Sequence, residues 1–352
     1  MTKDRMHEPE FVSRKNLPTR AVPEGDDLTG WVEAYFALAV TTAESSRQVQ
    51  RRDLATFLAF MAREIGHTKR AAWTPRLSRA FVNSLRATVD GQGRRRFADV
   101  TLNRILAHLK TFSKWVHRHR PFLLGDPLTK LATLTVPTVL AIERALTPAE
   151  ERRLLDAADW LLESGGRSRD RRAHGPGARP RRKGYRPYRN RALVYTLIGT
   201  GMRRAAIRDL NRAEVDFDRR LVTVTEKGGV RQRYHIRREA LAAIRDYLEH
   251  ERPQDAAKWA SPALFLAAAT NTKGDGRLSV RRLNQIWNHV AQAAGLSGKT
   301  PHAARHAMGK RILRKTGNLA AVQRQLGHRN ATYTLQYARP SFAEMEAAIG
   351  DE

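Results

Sequence analysis

The chain of 352 residues contains no cysteine, which excludes disulfides and thiolate metal sites and fits a reducing cytosol. It has no apolar run near the roughly 20 residues of a membrane span. The first ten residues, M-T-K-D-R-M-H-E-P-E, lack the apolar core of a signal peptide, so a cytoplasmic protein without a membrane partner is expected. Acidic residues are scarce, with 35 Asp plus Glu against 64 Lys plus Arg and a net charge of +29. Such an excess repels itself unless a polyanion neutralises it, and nucleic acid is the first candidate. On charge alone, a ribosome-associated or merely basic protein is the alternative. What is plentiful is apolar side chain, 41% of the residues, enough at this length for two domains with separate cores.

Residues 1–26 mix Pro, Gly and charge without periodicity and read as a flexible arm. From Leu28 the apolar spacing is helical. Trp31, Tyr35 and Leu38 share one face, and Leu54, Phe57, Leu58, Met61 and Ile65 another. Thr74-Pro75 opens a third helix, and a fourth carries Leu102, Ile105, Leu109, Phe112 and Val116 inward. The outer faces of the fourth hold Arg104, Lys110, Lys114 and Arg118, either a solvated surface or one that tracks a nucleic-acid backbone. Residues 27–125 therefore read as a small helical domain, and 126–145, punctuated by Pro127 and Pro137, as a linker. A capping box at Thr147 and Glu150 starts the second domain, 146–352.

Residues 165–191 are the most biased stretch. Arg171, Arg172, Arg181, Arg182 and Lys183 stand among eleven basic residues against the single acid Asp170. Interrupted by Pro and Gly, the stretch reads as a loop that orders on phosphates, or else as a solvated linker. Ala192–Thr200 is an apolar, buried helix delivering Gly201-Met202-Arg203. Residues 221–236 form a β-hairpin with Lys227 in its glycine turn, and helices return at 239–248 and 279–293.

The chemistry gathers in residues 300–337. Thr300 and Pro301 read as N-cap and first residue of a helix. His302, Arg305 and His306 then share one side of its first turn, where free N–H groups and the helix dipole favour an anion. His328, in Leu326-Gly327-His328, and Tyr337, nine residues on, complete the set. His302 and His306 have the i, i+4 spacing of a metal site, but Ala303 stands where H-E-x-x-H needs Glu; no metal or other cofactor is expected.

The ordered set Gly201-Met202-Arg203, Lys227, H-A-A-R-H, L-G-H and Tyr337 resembles the tyrosine recombinases, the phage-integrase-like family. The helix T-L-N-R-I-L-A-H-L-K-T-F-S-K-W-V, followed by Gly125-Asp126-Pro127, resembles the close of that family's core-binding domain. The resemblance implies a mainly α fold: a helical, SAM-like core-binding domain and a mixed α/β catalytic domain with a small sheet, closing as a clamp on double-stranded DNA. It implies Tyr337 as nucleophile, Arg203 and Arg305 as clamps on the phosphate, Lys227 as general acid, His302 as base or positioner, His328 as a phosphate hydrogen-bond donor and His306 as a support behind them. It also implies a homo-tetramer on two DNA sites, with or without accessory proteins or a second recombinase, acting beside the bacterial nucleoid in integration, excision, transposition or resolution.

Tyr333 is a rival nucleophile on spacing, but the Leu-Gly-His interval favours Tyr337. The family's acidic residue three positions after the first Arg is replaced by Ala206, and the basic stretch at 165–191 is longer than usual. Two alternatives share the fold: a catalytically silent DNA-binding protein and a DNA-relaxing enzyme resembling type IB topoisomerases.

Overall fold

The computed structural model describes residues 23–136, 144–167, 180–226, 229–328, 330–338, 345–346 and 349–350. The chain forms two compact units, residues 1–138 and 139–352.

The first unit contains α1 (Leu28–Leu38), α2 (Glu44–Ile65), α3 (Pro75–Ala87) and α4 (Asp99–His119). Helix α3 starts as its sequence dictates: Pro75 needs no amide partner, and Thr74 Oγ1 accepts from Leu77 N at 3.2 Å. Aromatic side chains fill the interior. Trp31 meets Trp115 edge-on at 5.9 Å, and Phe57 meets Phe81 at 5.1 Å, geometries that align ring edges with ring faces.

Two expectations for this unit change. The last residues of the expected arm are tied to the helices: Asp26 pairs with Arg70 at 3.1 Å, and Arg120 donates to Glu24 O at 2.7 Å. The first half of the expected linker also belongs here, because Leu128 is buried and the Asn103 amide brackets Leu134 through bonds of 2.9 and 2.8 Å. The outward charges on α4 differ among themselves as well. Arg104 grips Asp53 with two bonds of 3.0 Å, and His108 Nδ1 lies 2.8 Å from the same carboxylate. Asp53 is 2% exposed, and a buried carboxylate requires such partners. Lys110 donates to Leu131 O, whereas Lys114 is exposed.

The second unit is built around α6 (Pro187–Thr200), which is buried along nearly its whole length. It packs against α5 (Pro148–Ser164), α8 (Arg238–His250) and α11 (Pro301–Thr316). Gly199 permits the close approach to α8, since a Cβ there would lie 2.9 Å from that of Ala240. The capping box forms at the start of α5, with Thr147 Oγ1 accepting from Glu150 N at 3.1 Å and Glu150 Oε2 accepting from Thr147 N at 2.8 Å. The hairpin is β2 (Leu221–Glu226) against β3 (Val230–His235). A short strand not foreseen in the sequence, β1 (Val215–Asp216), pairs antiparallel with β2 to give the order β1-β2-β3. Short helices α7 (Arg204–Asp209) and α9 (Arg252–Ala256), then α10 (Val280–Ala293), α12 (Leu319–Leu326) and α13 (Thr332–Leu335), complete the described elements.

The basic stretch is only partly a loop. Its last residues, Pro187–Arg191, are the opening of α6. Arg186 pairs with the fully buried Asp255 at 2.7 Å, and Arg191 joins Asp159 to Asp246. Arg189, 1% exposed, donates to Leu266 O at 2.8 Å. These arginines are interior cross-links because their carboxylate and carbonyl partners arrive from elements distant in sequence, which composition alone cannot reveal. Arg181 donates to Leu162 O and Glu163 O in the last turn of α5, a favourable place for a cation. Arg182 and Lys183 are exposed. Arg171 and Arg172 lie outside the described residues.

Replacing Asp53 with Ala leaves Arg104 and His108 without their shared acceptor. We expect it to destabilise the first unit by about 2 kcal/mol, read as an earlier urea transition of that unit. Lys114→Ala should leave the transition unchanged.

Candidate active site

Four stretches of the second unit converge. Arg203 leaves the junction of α6 and α7; His302, Arg305 and His306 occupy the first turns of α11; His328 follows α12; and Tyr337 follows α13. Helix α11 begins at Pro301 as expected. However, the Thr300 side chain makes no cap bond, and it is Thr300 O that accepts from Ala303 N, at 2.9 Å.

The end of α12 organises the arginines. Arg305 Nη1 donates to Gly201 O at 2.8 Å and its Nη2 to Leu326 O. Arg203 Nη2 donates to Gly327 O at 3.4 Å. One residue earlier, the buried Gln325 amide donates to Thr200 O and His235 O, both at 2.9 Å, and accepts from His235 N at 3.0 Å. Successive residues of one short helix thus hold the end of α6, the end of β3 and both guanidiniums. Gly201 and Gly327 have φ of 70° and 62°, a region glycine enters without strain. At both, a Cβ would crowd neighbours, Met308 at 2.9 Å and Gln232 at 3.0 Å.

Tyr337 is 3% exposed. Its phenol lies 2.9 Å from His306 Nδ1, and its ring stacks nearly parallel to His328, at 9° and 6.2 Å between centroids. Gly309, one turn after His306, gives the ring its place, because a Cβ there would come within 2.7 Å of Cε1. His328 Nδ1 is 3.0 Å from Thr334 Oγ1, and the His302 ring meets that of His306 edge-on at 5.3 Å. Tyr333, the rival, is 64% exposed.

Burial and positive neighbours set the protonation states. Burial, then His302, Arg305 and Arg144, push the His306 imidazole down to about 4. Burial, followed by Arg305 and Arg203, brings His328 to about 4 as well, and the same three influences with Arg204 lower His302. Burial raises the Tyr337 phenol to about 12, against the opposing pull of Arg305 and Arg203. At neutral pH the site therefore holds uncharged His306 and His328, a protonated phenol and two permanent cations. That arrangement suits an anion bound between the arginines, beside a phenol that stays protonated in the free protein.

Arg203, His302, Arg305, His306, His328 and Tyr337 thus come together, while Lys227 lies outside the described residues. Sequence reading missed Gln325, Gly309 and Arg204, whose Nη1 donates to Asn284 Oδ1 on α10 at 2.7 Å. No local signal marks them, because each acts through a partner far along the chain. Ala206 is packed in the interior of the unit, an apolar setting where a carboxylate would need a buried partner. Among the described residues there is no cluster of three or more His, Asp or Glu that could hold a metal, and no helix long and apolar enough to cross a membrane.

Residues 181–344 match the model of the phage integrase family. The tyrosine recombinase XerC of Mycobacterium sp. (strain JLS) is 28% identical over 320 residues, 90% of this chain and 94% of that protein. The XerC of Bifidobacterium longum subsp. infantis is 27% identical over 277 residues, 69% and 76% of the two chains. Among solved structures, the XerH site-specific recombinase bound to its difH substrate superposes with a TM-score of 0.62 at 15% identity, covering 91% of this chain and 84% of that one. The Tn1549 transposon integrase with transposon right end DNA also gives 0.62 at 15%, covering 92% and 98%. These likenesses extend through both units and support the fold.

The histidines make stability depend on pH. Their folded values near 4 lie below the ordinary 6.5, so between these values the unfolded chain binds more protons. The contribution is present above about pH 6.5 and is lost as the pH falls toward about 4. Urea midpoints measured across this window should fall with acidification, and His328→Asn should flatten part of the slope.

Proposed function

Because this chain belongs to the phage integrase family of tyrosine recombinases, we propose that it breaks and rejoins DNA at specific sites with Tyr337 as its nucleophile. The observation that carries the residue assignment is the convergence of Arg203 and Arg305 on the segment that also presents His328, beside the buried phenol.

A phosphodiester carries one negative charge, and its five-coordinate transition state gathers more on the non-bridging oxygens. Arg203 and Arg305 grip those oxygens with planar, permanently charged forks, and their bonds to backbone carbonyls hold each fork in orientation. Tyr337 Oη attacks phosphorus as the bond to the 5′-oxygen breaks, giving a 3′-phosphotyrosyl link and a free 5′-hydroxyl. Lys227 supplies the proton to the leaving oxygen, and His328 donates to a non-bridging oxygen. The covalent link conserves the bond energy, so rejoining needs neither ATP nor a metal. His302, exposed at the head of α11, borders the phosphate.

Double-stranded DNA is the partner the charge calls for. The exposed Lys114, Arg182 and Lys183 are the described candidates for contacting its backbone. Exchange between two duplexes requires four strand cleavages, which supports four copies acting on two sites. Integration, excision, transposition and resolution all use this chemistry.

Incubated with a nicked suicide duplex carrying its site, the wild-type protein should form a covalent adduct in EDTA, and Tyr337→Phe should form none. Arg305→Ala should reduce adduct formation by at least about 100-fold. An adduct that survives Tyr337→Phe, or that needs Mg²⁺, overturns the assignment. Gly309→Ala tests the seat of the ring: DNA affinity should be retained, with adduct formation slower by at least about tenfold because the nucleophile is displaced.

A further inference from the structure

We propose that His306, rather than His302, accepts the proton of the Tyr337 phenol during strand cleavage. The inference rests on the reading of Tyr337 as the nucleophile. His306 Nδ1 lies 2.9 Å from the phenol oxygen, and both residues are buried, 8% and 3% exposed. In this role the phenol donates that bond to Nδ1 and Nε2 carries the proton, the neutral tautomer a base must adopt. His302 instead meets the His306 ring edge-on at 5.3 Å.

The geometry is enforced from two sides. Gly309 lies three residues after His306 on the same helix, and the absence of a Cβ lets the phenol ring rest against α11 with its hydroxyl at His306. The parallel His328 ring covers another part of the phenol. A ring fixed in this way presents its O–H to one imidazole nitrogen.

The charged and titratable groups bearing on this pair come from several elements. His302 and Arg305 lie on α11, Arg144 lies before α5, and all three disfavour an imidazolium at position 306. Arg203 and Arg305 favour the phenolate at 337. In the DNA-free protein the balance leaves the proton on oxygen. A phosphodiester held between Arg203 and Arg305 offsets their charge, and the charge gathered in the transition state favours an imidazolium beside it. The step then balances. The Oη–P bond forms while the P–O5′ bond breaks. The phenol proton passes to His306 Nδ1, and Lys227 protonates the departing oxygen. In religation the imidazolium returns its proton to Oη.

The test is single-turnover cleavage of the nicked suicide duplex by the full-length protein across a range of pH. Asn at position 306 keeps an acceptor for the phenol yet takes no proton. His306→Asn should bind DNA as the wild type does and cleave at least about 100-fold more slowly at neutral pH. Its rate should climb about tenfold per pH unit as phenolate accumulates. His302→Asn should slow cleavage without steepening the pH dependence. Cleavage by His306→Asn within about threefold of wild type with an unchanged pH profile overturns the proposal, as does a steepened profile in His302→Asn alone. A second measurement does not depend on the activity of a position-306 variant. In protein carrying isotope-labelled histidine, Tyr337→Phe should shift the His306 Nδ1 resonance toward that of an unbonded nitrogen, and no shift overturns the contact. Absence of an adduct with the wild type would instead be a failure of the Tyr337 assignment.

Discussion

Four consecutive residues, Gln325 to His328, hold the candidate site of the second unit together. Gln325 ties the end of α6 to the end of β3, Leu326 O and Gly327 O receive Arg305 and Arg203, and His328 stacks on the phenol. The arginines belong to segments a hundred residues apart in sequence, yet their forks are oriented by adjacent carbonyls. A guanidinium grips a tetrahedral anion well only when its plane is set beforehand. The end of α12, closed by Gly327 with its N–H bonded to Gln323 O, supplies that setting.

The scarcity of acids becomes intelligible in the same structural terms. Glu151 on α5 binds Arg237, at the start of α8, and Arg311, on α11. Asp159 and Asp246 bracket Arg191, Asp255 anchors Arg186, and Asp53 performs the corresponding role in the first unit. Several of the few carboxylates are thus placed as internal cross-links between elements. That leaves cations in excess over the remaining carboxylates, a balance that attracts polyanions.

Much of this was legible in the sequence, since the helices of the first unit, the capping box and the hairpin follow from local periodicity and turn chemistry. So did the grouping of His302, Arg305 and His306, because a helix brings i, i+3 and i+4 together wherever it sits. Less legible was the division of labour among like residues. Arg189 and Arg182 look equivalent in a basic run, yet one is buried against Leu266 O and the other is exposed. The two-residue β1 strand is likewise too short to carry a pattern, and it exists because β2 offers it an edge.

The sequence by itself determined the chemical inventory and its order along the chain: a tyrosine, two arginines, a lysine and histidines at intervals that short-range geometry can interpret, on a chain with a large excess of positive charge. Tertiary structure decided which groups touch. It put His306 on the Tyr337 hydroxyl, made Gly309 the seat of the ring, and gave Gln325 a role that no motif announces. The reason is range. Backbone propensity and helical spacing act over a few residues, whereas a hydrogen bond between positions 306 and 337, or between 325 and 200, forms only after the core around α6 has brought distant segments together.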